Sequence, residues 1–164
     1  MSTMTSHSAK LTFPADDQIL ITREFAAPKD LVYRAVTEPE LVKRWWNAKR
    51  GEVTTCEIDL RVGGKWRYVM STPEGFEVAF HGEYREIVPA ERVVTTEAFE
   101  GAPDPDNNAT VNTMTLAERD GATTLTVLVD CPSPEVRNAI VESGMEAGLQ
   151  DAYDLLEEVA ASLS

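Results

Sequence analysis

The sequence predicts an α+β fold, with a curved antiparallel sheet of about seven strands around one long C-terminal helix and two short helices after the first strand. Three observations predict it. Apolar residues recur at helical spacing in only two places, roughly 28–46 and 133–163. Between them the period is two, and turn signals cut the run into six segments that short hairpins would join antiparallel. Those segments are polar at alternate positions, which leaves one sheet face wet and the other covered, and only the terminal helix is long enough to cover it.

Taken in order, residues 1–15 are polar and aperiodic and read as a disordered tail, with the domain proper over 16–164. QILITREF places Ile19, Ile21, Arg23 and Phe25 at one parity, a first strand. Pro28 suits the opening of a helix in which Leu31, Val32, Ala35 and Val36 share a face. Glu38-Pro39 breaks that helix, and Pro39 starts a second holding Leu41, Val42, Trp45 and Trp46. TTCEIDLRV then alternates Cys56, Ile58 and Leu60 against Glu57, Asp59 and Arg61. Gly63-Gly64 marks a hairpin into KWRYVM, where Trp66, Tyr68 and Met70 share a parity. FEVAFHGEYREIV, VVTTEAF, TVNTMTLAER and ATTLTVLVDC follow, the last two joined at Asp120-Gly121. Pro132 and Pro134 stop the final strand, and Ser133 is a suitable N-cap for one long helix to the end.

Composition excludes several classes. At 164 residues the chain makes one domain with room for a core. Fifteen basic residues stand against 28 acidic ones, a net charge of −13, so nucleic acid and anionic membranes are poor partners. No apolar run approaches a membrane span, and MSTMTSHSAKLTFPADD lacks the apolar core of a signal peptide. Cys56 and Cys131 have no C-x-x-C spacing and read as two buried thiols in a reducing compartment, so a cytoplasmic location is expected. With two histidines, His7 in the tail and His81, the domain has no two-histidine metal site and a zinc centre is not expected. No nucleophile elbow, phosphate loop or dinucleotide motif is present, so no cofactor is expected.

REFAAPKDLVYRAVTEPELVKRWW, CEIDLRVGGKWRYVM, FHGEYREIVPAERVVTTEAF and SGMEAGLQDAYDLLEE, in that order, resemble the START-like (SRPBCC) superfamily, and within it the branch of homologues of the activator of the Hsp-90 ATPase. The resemblance covers about Gln18 to Leu163. It implies a helix-grip fold with a deep, mostly apolar cavity between the sheet and the long helix, and a small hydrophobic ligand. Some branches are cyclases or hydrolases, and most bacterial members of this one are single domains with no demonstrated link to the chaperone. The branch usually carries an aromatic residue just after the second glycine of Gly-Met-Glu-x-Gly. Leu149 stands there, which implies a roomier or more aliphatic pocket.

The candidate ligand-binding set is therefore Trp66, Tyr68, Met70, Phe80, Tyr84 and Met114 on the strands, with Gly144, Met145, Gly148 and Leu149 on the terminal helix. An indole N–H and phenol hydroxyls in an apolar surround suit a ligand with one or two polar atoms. Gly144 and Gly148, one turn apart, would make a notch that either leaves room for a cavity or permits tight packing. His81 and Glu83 have the solvent parity of their strand, but Ile87 and Val88 suggest a bulge that could turn them inward. With Glu97 they are the candidate acid–base groups. Trp45 and Trp46 point about 100° apart, so one faces the core and the other gates a cavity mouth or meets a second copy in a homodimer. Three functions are expected in descending order: a small-molecule-binding protein with no catalytic residues, a cyclase- or hydrolase-type enzyme, and a co-chaperone-like interaction module.

Overall fold

The structure, a computed structural model, describes residues 8–47 and 49–164. Among the described residues twelve elements follow one another: β1 (Lys10–Thr12), β2 (Gln18–Phe25), α1 (Lys29–Thr37), α2 (Pro39–Trp45), β3 (Glu52–Ile58), β4 (Lys65–Ser71), β5 (Glu77–Val88), β6 (Arg92–Phe99), β7 (Thr110–Arg119), β8 (Ala122–Asp130), α3 (Pro134–Glu142) and α4 (Met145–Ser162). The strands form one curved antiparallel sheet of eight in the order β1-β2-β8-β7-β6-β5-β4-β3. Neighbours in the chain are neighbours in the sheet from β3 to β8, as short hairpins require. The helices cover one face.

The parity of β2 is the one expected. Ile19, Ile21 and Phe25 are buried, and so is Arg23 among them. A buried guanidinium needs partners. Arg23 has Asp154 and Glu157 on α4, each at 3.1 Å, and the Phe25 ring, 4.9 Å from its guanidinium carbon. Glu157 also accepts from the Ala26 amide at 2.7 Å, so this network ties the first strand to the last helix. Around it Val32, Val42, Leu125, Leu156 and Val159 form the main core. Trp45 belongs to it as well, donating its indole N–H to the Ala35 carbonyl at 2.8 Å and locking α2 against α1. It is thus not available for a contact between copies.

Two expectations change. The span read as a tail contributes a strand: Lys10, Leu11 and Thr12 pair with Thr22, Ile21 and Leu20, which makes eight strands rather than seven. Three residues are too few for an alternation to register in the sequence. What fixes them is tertiary, because Gln150 on α4 exchanges two hydrogen bonds with the Ala9 backbone, at 2.9 and 2.8 Å. His7 and the rest of residues 1–7 lie outside the described residues. The second change is at the C-terminus, where Ser133 caps as expected, accepting from the Val136 amide, but the helix does not run through. Gly144 has φ +85°, a left-handed conformation that opens to glycine at no steric cost, and it separates α3 from α4. Gly144 and Gly148 therefore do not share a face of one helix.

Candidate functional site

A pocket of about 200 Å³ opens between the concave face of β4–β7 and the first two helices. Its walls are Trp66 and Tyr68 from β4, Phe80 and Tyr84 from β5, Val93, Thr95 and Glu97 from β6, and Asn112 and Met114 from β7. Val36, Thr37, Trp45 and Trp46 close it from above. It is partly open to solvent rather than an enclosed cavity, and the terminal helix contributes no wall residue. Met70 is buried but outside the lining, and Gly144, Met145, Gly148 and Leu149 also lie away from it. The four helix candidates are not brought to the pocket because the α1–α2 pair occupies the place that the long helix was expected to take, and Met70, at the end of β4, lies against Gly51 instead. A Cβ on Gly148 would instead meet the Arg50 guanidinium at 3.6 Å.

The other five strand candidates do converge. Trp66 and Tyr68 have ring centroids 4.7 Å apart. Trp46 stands edge-on to Tyr68 at 5.3 Å and to Phe80 at 5.9 Å, so of the two adjacent tryptophans it is the one that packs on the aromatic wall. Trp66 is paired with Gly82 on β5. The register on either side, His81 with Ala98 and Tyr84 with Thr95, sets Gly82 opposite Glu97 on β6. Without a side chain at position 82, the Trp66 indole lies across the strand, and a Cβ built there would meet its Nε1 at 2.6 Å and the Thr96 carbonyl oxygen closer still. The ladder is adapted to this approach, with the Glu83 amide donating to the Thr96 hydroxyl at 3.0 Å.

Two polar groups in the pocket are out of the ordinary. Among the described residues Trp66 Nε1 is the buried side-chain polar atom without a hydrogen-bond partner, in a residue 7% exposed. A buried donor with no acceptor costs about 1–3 kcal/mol. Glu97 is the second. Its carboxyl is surrounded by protein, and loss of water pushes its pKa above the usual carboxylate range, opposed by a hydrogen bond donated by the Asn112 amide. Thr110 donates to the other end of that amide at 2.9 Å and holds it in place. Burial likewise pushes the phenols of Tyr68, Tyr84 and Tyr153 above their ordinary value, so all three stay neutral.

His81 and Glu83 are on the other face. The expected bulge is present, between Tyr84 and Glu86, but it falls after His81 and Glu83 in the strand and leaves their outward parity intact. The two ring nitrogens of His81 face Glu100 at 2.8 Å and Asp106 at 2.6 Å, and Arg67 holds Glu100 through two bonds of 2.9 Å. Glu83 lies near Lys65 and Arg85 at 3.6 Å each. Of the three candidate acid–base groups, only Glu97 belongs to the pocket. Sequence reasoning missed Thr95 and Asn112, which share its parity across β6 and β7, and the helix residues Val36 and Thr37. A polar run such as TVNTM reads as solvated when nothing reveals that it lines a depression.

The described residues contain no helix long and apolar enough to cross a membrane and no group of three or more His, Cys, Asp or Glu that could hold a metal ion.

Comparison with known proteins gives the same frame. The family model described as Activator of Hsp90 ATPase homolog 1-like protein matches residues 26–161. Among solved structures, a Rhodobacter sphaeroides protein superimposes with a TM-score of 0.86 at 26% identity, over 94% of this chain and 99% of its own. A Nitrosomonas europaea protein gives 0.80 at 28%, over 93% and 99%. A Mycobacterium smegmatis protein, at 23% identity and 0.82 over 94% and 96%, shares the fold. No curated protein matches the sequence.

Proposed function

From the premise that the chain belongs to the family of Activator of Hsp90 ATPase homolog 1-like proteins, a START-like fold, we propose that its pocket binds a small, mainly apolar molecule carrying one or two polar atoms. The observation that supports this best is the Trp66 indole N–H, buried in an aromatic wall with no acceptor. A protein interior rarely leaves such a donor unpaired, and a site built to receive a ligand atom gives a reason for one. The two free cysteines, Cys56 and Cys131, fit a reducing compartment, so we place the protein in the cytoplasm.

Native mass spectrometry of the protein as purified tests the reading. A small molecule released on denaturation supports it and gives the ligand class. An empty protein that also fails to bind small apolar probes saturably refutes it.

Glu97 favours a second reading, in which the same pocket performs acid–base chemistry on its ligand. That reading rests on this one carboxyl, since the phenols around it are pushed away from neutral pH and His81 and Glu83 face outward. Turnover of a bound molecule by the native protein, abolished in Glu97→Gln, would favour it over simple binding.

A further inference from the structure

Trp66, Gly82 and Glu97 occupy one row across β4, β5 and β6. The missing side chain at Gly82 lets the indole N–H reach over β5 toward the strand that carries Glu97. An indole nitrogen can only donate. Glu97 is occupied at Oε1 by the hydrogen bond from Asn112, and among the described residues no cation pairs with it. In its acid form it presents an O–H from the remaining oxygen. With Glu97 in its acid form, the floor offers two donors beside the Tyr68 and Tyr84 hydroxyls, and nothing nearby compensates a negative ligand. A carbonyl oxygen, with two in-plane lone pairs and no charge, is the acceptor that suits two such donors.

We infer that the pocket recognises a small uncharged carbonyl compound, whose oxygen accepts hydrogen bonds from Trp66 Nε1–H and from the carboxyl O–H of Glu97. The inference rests on the reading of the pocket as a small-molecule site. The groups facing Glu97 are Tyr68 from β4, Asn112 from β7 and Tyr153 from α4, none of them charged, with Tyr84 on β5 alongside. Behind Tyr153 stands Arg23, already paired with Asp154 and Glu157. The wall from α1 and α2 contributes Val36, Thr37, Trp45 and Trp46, which do not titrate. Ionisation of Glu97 therefore replaces a donor with a charge aimed at the carbonyl lone pairs, and carbonyl affinity falls as pH rises through the carboxyl's elevated value.

The test compares cyclohexanone with methylenecyclohexane, the same shape without the oxygen, by titration calorimetry on the full chain. At a pH where Glu97 keeps its proton, two neutral hydrogen bonds at about 0.5–1.5 kcal/mol each predict a preference for the ketone of roughly tenfold. Trp66→Phe should reduce that preference to about threefold or less. Glu97→Gln should make the preference independent of pH, because a glutamine amide cannot ionise and still donates while its oxygen accepts from Asn112. The carbonyl stretch of bound cyclohexanone should move to lower wavenumber in the native protein, a reading that needs no variant to fold. Equal binding of the two probes, or an unshifted carbonyl band, overturns the inference and leaves the small-molecule reading standing. A preference that survives in folded Trp66→Phe overturns the assignment of the donor. Failure of both probes to bind overturns the inference together with the reading beneath it.

Discussion

Gly82→Ala is the perturbation whose cost follows most directly from geometry. A Cβ at this position meets Trp66 Nε1 at 2.6 Å, against a comfortable non-bonded separation of about 3.5 Å, so the indole must retreat by roughly 0.9 Å. The Thr96 carbonyl is nearer still and is backbone, so β6 must move as well. Overpacking of this kind costs about 1–3 kcal/mol and more where backbone is the obstacle. Loss of the bond between the Glu83 amide and the Thr96 hydroxyl adds about 1 kcal/mol. A total of about 3–4 kcal/mol lowers the melting temperature of a chain this size by roughly 6–16 °C. Thermal unfolding followed by far-UV circular dichroism measures it, and near-UV dichroism reports the displaced tryptophan. Gly148→Ala is the control, because its Cβ meets Arg50 at an ordinary 3.6 Å inside α4, and it should gain up to about 1 kcal/mol. A Gly82→Ala protein melting within about 2 °C of the native one, with unchanged near-UV bands, would refute the close approach of Trp66 to β5.

Three further outcomes follow from the same structure. His81 donates to both its carboxylates only as the imidazolium, and those bonds raise its pKa above 6.5 while Arg67, together with His81, lowers that of Glu100 to about 2. The histidine's contribution is complete below 6.5 and fades as pH rises through the elevated value, and the carboxylate's is complete above 4.5 and fades as pH falls through about 2. His81→Ala should therefore lose melting temperature most between about pH 4.5 and 6.5 and least at pH 9, with histidine NMR titration reporting the raised value directly. Arg23→Met removes the buried guanidinium that Asp154 and Glu157 share, and since Asp154 is half exposed the cost should be about 2–3 kcal/mol by urea unfolding, below that of a fully buried pair. Gly144→Ala separates the broken helix from a continuous one: at φ +85° alanine costs about 1–2 kcal/mol, whereas inside an unbroken helix it would gain about 1 kcal/mol.

What the sequence made legible was whatever obeys a period. The parity of Ile19, Ile21, Arg23 and Phe25, the inward set Trp66, Tyr68 and Tyr84, and the cap at Ser133 all appear in the structure as read. What escaped was set by contacts between distant segments. Lys10–Thr12 form a strand because Gln150 holds the backbone beside them. Helical spacing of apolar residues continues through Gly144, so the pattern cannot register a single left-handed residue. Glu97 was singled out but not placed, and Asn112 and Thr95 were passed over, because polar residues lining a pocket have the same alternation as polar residues facing water. His81 shows the converse: its outward parity was correct, yet its pairing with Asp106 lies across the loop between β6 and β7, and no local pattern encodes it.

If the Trp66 indole N–H is the donor to a ligand, as proposed, the chain carries its own reference for testing it. Of the three tryptophans, Trp45 already donates to the Ala35 carbonyl at 2.8 Å, while Trp66 donates to nothing among the described residues. Proton–nitrogen correlation spectra of the indole groups, recorded as cyclohexanone is added, read both at once. The Trp66 proton should move downfield and become slower to exchange, with the Trp45 signal unchanged. A Trp66 signal that stays in place while the ketone demonstrably binds would contradict the claim.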